Sequence, residues 1–345
     1  MMKLTALLHL AILLCGCVAH HNHENNVQLT AFPDTVSVTG EKLPLDILQP
    51  SGVYRVGDCL VVMQRSDEQM VHIYDTAMYA RKAAIISKGN GPRESLIVNF
   101  VTQIVGDTAL WIVGFPYFSG LLNVKKTVET RRAVFDREFD FRQSGQMPVL
   151  LASNIVYHTD SDLVMLMDPG RSGQRGGWNA FYIRYDFQNR EASDTLYISK
   201  FAALSEGADY RPLASIAERM RPDLKKSAVI FSYLGRIHLI DHQTGEVKVL
   251  WQKFEPEPVL EPKVVYSEAR HLGICATQDR FIVLCQDPEE NQGKSYLEVY
   301  DWDGNPVVRI NLPDVIWYPD IDDKGWLYGV DMEEKIVRYP IGRLI

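Results

Sequence analysis

Arg280-Phe281-Ile282-Val283-Leu284-Cys285 is followed by Tyr296-Leu297-Glu298-Val299-Tyr300-Asp301, the turn Trp302-Asp303-Gly304-Asn305, and Pro306-Val307-Val308-Arg309-Ile310-Asn311-Leu312. The first run is apolar almost throughout. The second ends in an aromatic residue plus aspartate, where a turn begins, and the third restarts a strand. Runs of β-branched and aromatic residues separated by Asp, Gly and Asn turns read as consecutive strands. Outside this stretch a 3.6-residue apolar period shows only weakly, around Ile216 to Met220.

The unit recurs. Apolar second strands stand at Cys59–Met63, Thr108–Val113, Leu163–Met167, Ala228–Tyr233, Arg280–Cys285 and Trp326–Val330. Third strands end at Tyr74-Asp75, Phe135-Asp136, Tyr185-Asp186, Ile240-Asp241 and Tyr300-Asp301, with Tyr339-Pro340 as the sixth ending. The second strands lack in/out alternation, which is the signature of strands buried on both faces. Small sheets stacked face to face around an axis bury their strands in this way.

Fourth strands are legible at Ala80–Ser87, Glu246–Trp251 and Pro306–Leu312, whereas the sixth unit runs out at Ile345 without one. An orphan strand at about Val27 to Val38 precedes the first unit. Closure of the ring would join the two and remove an exposed edge. The pattern predicts an all-β fold: a six-bladed β-propeller over residues 28–345, its N-terminal strand closing the last blade.

The charge balance narrows the partners. Lys and Arg number 36 against 44 Asp and Glu, a formal charge of −8. There is no long basic run, so no nucleic-acid partner is expected, because a phosphate backbone demands clustered cations. Cysteines are few and form no CxxC pattern that would mark structural zinc. An oxidising compartment would permit a Cys275–Cys285 bridge. If Gln278-Asp279 is a two-residue turn, however, Cys275 lies opposite Ile282 and Cys285 points to the other face.

Residues 1–16 read as an export signal: Met1-Met2-Lys3, the largely apolar Leu4–Leu14, then small residues. Leu14-Cys15-Gly16-Cys17 resembles a bacterial lipobox, although Cys15 is an unusual occupant of its place. The resemblance implies that Cys17 is acylated and becomes the new N-terminus. Residues 17–27, with His20, His21 and His23, read as a flexible tether rather than a metal site. Val18 lacks the aspartate that retains some lipoproteins at the inner membrane. The expected location is therefore the cell envelope at the outer membrane, with the membrane itself a partner through the lipid.

Gly89-Asn90-Gly91-Pro92-Arg93-Glu94 follows the outer strand of the first unit. It lacks the Lys-Ser/Thr of a phosphate loop, and its glycines suit a tight crossover. Gly89, Gly91, Pro92 and Glu94 match the Gly-x-Gly-Pro-x-Glu of the first inter-blade crossover in TolB-like six-bladed propeller lipoproteins of Bacteroidetes-type bacteria. The chain resembles that family over roughly residues 28–345. The resemblance implies a fold and an envelope location, and no catalytic residues.

Other candidates read as structure. Asp320-Ile321-Asp322-Asp323-Lys324-Gly325 lacks the length and the closing Glu of a calcium loop, and Asp at the ends of third strands initiates turns. His72, His158, His238, His242 and His271 show no metal-ligand spacing, and no catalytic signature is present. No cofactor or metal site is predicted, while a divalent metal in the central channel stays open.

Long loops are expected mainly between strands two and three and between blades. Gly170–Trp178 carries Arg171, Arg175 and Trp178, and a neighbouring loop carries Tyr117 and Phe118; Arg and aromatic side chains anchor binding surfaces. The leading expectation is a non-enzymatic module binding a glycan, peptide or envelope protein through that face. The alternative is a channel-centred hydrolase or lyase, metal-assisted.

Overall fold

A computed structural model describes residues 24–29, 31–65, 68–91, 93–115, 118–140, 155–158, 162–167, 179–186, 191–200, 216–232, 234–251, 271–286 and 294–345. Three short strands come first: β1 (Glu24–Gln28), β2 (Thr35–Ser37) and β3 (Glu41–Lys42). Blade one is β4 (Pro50–Val56), β5 (Cys59–Gln64), β6 (Gln69–Asp75) and β7 (Arg81–Ser87). Blade two is β8 (Ile97–Val105), β9 (Ala109–Phe115), β10 (Phe118–Asn123), the helix α1 (Val124–Thr130) and β11 (Phe135–Asp140). Blade three is β12 (Ile155–His158), β13 (Asp162–Met167), β14 (Asn179–Asp186) and β15 (Glu191–Lys200). Blade four is β16 (Ile216–Met220), β17 (Lys226–Phe231), β18 (Leu234–Asp241) and β19 (Val247–Trp251). Blade five is β20 (His271–Ala276), β21 (Arg280–Cys285), β22 (Tyr296–Asp301) and β23 (Pro306–Asn311). The chain ends with β24 (Ile316–Ile321), β25 (Trp326–Asp331) and β26 (Ile336–Pro340).

The expectation of six blades closed by the segment 27–38 is corrected on both counts. Five blades are whole, each an antiparallel meander of four consecutive strands. The remaining sheet is a composite of β24, β25 and β26, finished by the two residues of β3. The segment 27–38 does not close it. There, β1 lies parallel to β19, with Val27 opposite Leu250, and β2 lies parallel to β23, with Val36 opposite Ile310. The N-terminal chain thus covers the outer edges of blades four and five before it reaches the composite sheet. Covering an edge removes the same hazard as closing a ring, and an extended β-branched run serves either end. Strand pairing also begins at Glu24, inside the segment read as a tether.

The second strands explain the stacking. In β5, β17, β21 and β25 every residue after the first is buried. Alternate residues of one strand feed different cores: Ile282 and Leu284 join a cluster with Leu327 and Tyr339, while Phe281, Val283 and Cys285 join one with Ile230 and Leu250. Cys275 pairs with Ile282, as the hairpin register requires, and both Cys275 and Cys285 are free thiols.

Blade two departs from the sequence pattern. Its third strand ends at Leu122-Asn123, not Phe135-Asp136, because α1 is inserted before the fourth strand. Asn123 caps that helix by accepting from the Lys126 N–H at 3.0 Å. Asp136 lies in β11 and accepts from Asn123 and Lys126, so it does not initiate an outer turn.

The seam between the composite sheet and blade one is held by apolar and charged contacts. Leu43, Leu45 and Ile47 cluster with Val53, Leu60, Tyr328 and Ile336. Lys42 bonds Asp331 and Glu333, and Arg338 pairs with Glu41. Deepest is Arg55 on β4, whose Nη1 lies 2.8 Å from Asp322 Oδ2, with side chains only 8% and 1% exposed.

Candidate functional site

A cavity of about 1420 Å³ opens where the turns between first and second strands converge. Its wall is built from inner-strand ends and the turns that follow them: Tyr54-Arg55 and Gly57, Ile104 and Gly106-Asp107, Arg219–Pro222, Ala276–Arg280 and Asp320–Trp326. The tail Gly342–Ile345 and the segment Val36–Val38 extend it outward. Ile341 and Gly342 donate to the Gly325 carbonyl at 3.0 and 2.9 Å, which fixes the tail on the turn. Gly325 has φ +77°, and a Cβ there would lie 2.2 Å from Gly342 Cα, so only glycine fits.

Asp322 and Asp320 sit two residues apart and do different things. Asp322 Oδ1 accepts from the Lys324 and Trp326 N–H groups at 2.9 and 2.8 Å, closing the turn. Its Oδ2 takes Arg55 and, at 3.2 Å, the Tyr328 hydroxyl. Burial is the largest influence and works against the Arg55 charge, but the Asp322 bond and charge, with Tyr328 and Asp323, together outweigh it and leave the guanidinium's pKa above its usual value. Burial first, and then the Asp322 charge, push the Tyr328 phenol up to about 12.

Asp320 belongs to β24 and lines the cavity. Desolvation raises its carboxyl to about 7 against the lowering influence of the Arg219 guanidinium and the Ile321 N–H. A carboxyl that changes charge near neutrality, sharing a cavity with a guanidinium, is a functional-site signature with a physical cause. Among the described residues no histidine or cysteine lines the cavity. The wall therefore offers charged and hydrogen-bonding groups, with apolar surface from Ile104, Met220 and Leu224.

The sequence-predicted contact residues fall elsewhere. Cys17, Tyr117, Arg171, Arg175 and Trp178 lie outside the described residues, as does Pro92. Phe118 is no loop residue: it opens β10, is 4% exposed, and meets Phe135 edge-on with ring centroids 5.7 Å apart. The cavity also opens on the face of the short first-to-second turns, opposite the face where long loops were expected. Among the described side chains, the histidines do not converge on it: His72, His238 and His271 are buried within blades, and His242 bonds Ser227 at 2.9 Å.

The Gly89–Glu94 hexapeptide is a folded crossover. Glu94 Oε2 accepts from the Gly91 N–H at 2.8 Å, and Gly89 donates to the Ser95 carbonyl at 3.0 Å. A Cβ on Gly89 would stand 2.0 Å from that carboxylate oxygen. The glycine is there so that Glu94 can fold back over the chain. Gly89→Ala forces the carboxylate away and costs about 1.5–3 kcal/mol, the worth of a hydrogen bond to a charged group. A urea-midpoint shift should show it, and an unchanged midpoint would refute this account of the motif.

No family model matches the chain. No curated relative matches it either. Among solved structures it is similar to a member of the DUF4221 family from Bacteroides vulgatus, at 12% identity and TM-score 0.54, covering 89% of this chain and 98% of that one. It is also similar to a putative exported protein from Bacteroides fragilis, at 10% identity and TM-score 0.52, covering 92% and 98%. At such identities the likeness shows a shared fold alone.

Proposed function

We propose that this chain is an envelope lipoprotein of the TolB-like kind, anchored through Cys17, whose propeller binds a peptide segment in the axial cavity without transforming it. The observation that carries the reading is the placement of Arg219 and Asp320 on the wall of one cavity, with burial raising the Asp320 carboxyl to about 7. A peptide supplies amide donors and acceptors together with charges of both signs. A neutral glycan offers no charge to either of these half-buried groups, whereas a peptide can meet both.

The test is a peptide-display selection against the purified protein, followed by titration of the recovered peptides. Arg219→Ala and Asp320→Asn are each expected to weaken binding at least tenfold. Equal affinity in both variants would remove the cavity from the account. For the anchor, radiolabelled palmitate should enter the wild-type chain in cells and not Cys17→Ala; labelling of the variant would dismiss Cys17.

A further inference from the structure

Blade five holds a second constellation, away from the cavity. His271, Cys285 and Glu298 lie on β20, β21 and β22, and their ligand atoms all fall within 4.8 Å of one another. His271 stands directly opposite Cys285 in the ladder, and Cys285 opposite Tyr296, with Glu298 two residues further along β22. All three are buried, at 1%, 0% and 6% exposure. They face blade four, where Cys285 and Tyr296 pack among Ile230, Ile237 and Leu250.

We propose that His271, Cys285 and Glu298 form a binding site for a divalent cation of zinc type, set between blades four and five. Three observations carry it beyond mere proximity. The donors are an imidazole, a thiol and a carboxylate, the set that zinc favours. With thiolate and carboxylate, a divalent ion makes a cluster of zero net charge, which suits a buried position. The outer contacts are those of a metal site: His271 Nδ1 is 3.1 Å from the Phe231 carbonyl, and the Tyr300 hydroxyl donates to Glu298 Oε2 at 2.6 Å.

Because a carbonyl only accepts, His271 Nδ1 carries the proton and Nε2 is left as the ligand atom, the usual arrangement for metal-bound histidine. Bonds of ~2.0–2.3 Å place tetrahedral ligands roughly 3.5 Å apart, so closing on an ion needs side-chain shifts of about 1 Å. The Cys285 proton leaves to solvent as the sulfur–metal bond forms. A water or one further group completes the shell. The site is built by strand register across residues 271 to 298, so short-range sequence spacing does not reveal it.

The probe is Co²⁺ alone, added to the metal-stripped full chain. One equivalent should produce a thiolate-to-cobalt charge-transfer band that Zn²⁺ displaces. Cys285→Ser should abolish the band, whereas Cys275→Ser, whose sulfur faces the opposite core, should keep it. Glu298→Gln, close in volume, should weaken cobalt binding at least tenfold and serves if Cys285→Ser does not fold. No band in wild-type protein that is folded by circular dichroism overturns the proposal. So does a band that survives Cys285→Ser, or unchanged affinity in Glu298→Gln.

Discussion

Replacing Asp322 with alanine is expected to lower stability by about 3–5 kcal/mol, the range for breaking a buried ion pair by removing one partner. Arg55 would be left 8% exposed with its charge uncompensated, and the turn would lose both carboxylate bonds to the Lys324 and Trp326 N–H groups. The residue also ties β4 to the turn after β24, so the loss falls on the seam where the first blade meets the composite sheet. Asp241→Ala is the comparison. Asp241 makes the same kind of turn, accepting from Gln243 and Thr244 at 2.9 and 3.0 Å, with no ion pair to a buried arginine. It should cost about 1 kcal/mol. Adding Arg55→Leu to Asp322→Ala should restore part of the loss, because the stranded charge goes with it. Thermal unfolding of the four proteins decides the matter. Equal shifts for Asp322→Ala and Asp241→Ala would mean that the ion pair contributes nothing.

What the sequence revealed and what it concealed follow from the range of each interaction. Strand content is local, so Cys59–Met63, Arg280–Cys285 and Trp326–Val330 read correctly as second strands. The hairpin register of Cys275 opposite Ile282 follows from a two-residue turn, and it fixes the two thiols on opposite faces. Partner choice is not local. The strands at Val27 and Val36 carry the right residues for sheet edges, but nothing in them says which edge, or that pairing is parallel. Blade two misled because α1 and its cap place Asn123, rather than an aspartate, at the end of the third strand. Phe118 was visible as an aromatic beside Gly114 but not as a strand residue. A Cβ at Gly114 would fall 2.3 Å from the Phe118 ring, and that contact explains the glycine only once the strands are paired. The aspartates at 320 and 322 look alike in sequence. Period-2 geometry puts them on one side of the chain, and the difference lies in the group each meets: Arg55 of the adjoining first blade for Asp322, and the charge of Arg219 from blade four for Asp320.

Asp320 supplies the second large effect, and its sign is opposite to that of a paired carboxylate. Its folded-state pKa, about 7, lies above the ordinary 3.8, so between those values the folded chain binds more protons than the unfolded one. Stability therefore falls as pH rises from about 4 to about 7 and levels off above. The fall attributable to this group is roughly 4 kcal/mol. Asp320→Asn cannot ionise and should remove that slope, leaving the variant as stable as wild type at pH 4 and more stable at pH 8. Denaturant unfolding at both values reads it directly, and parallel profiles for the two proteins would show that Asp320 is not the titrating group. The same linkage reaches the proposed ligand. A cationic group docked beside Asp320 holds the carboxylate in its charged form, so such a peptide should bind more tightly as pH rises through 7 and lose that dependence in Asp320→Asn. Affinity that is flat with pH in wild type would place the ligand's cation elsewhere in the cavity. A carboxyl that destabilises the fold when ionised is one that the cation of the proposed peptide would stabilise, which is why the two pH dependences should disappear together in Asp320→Asn.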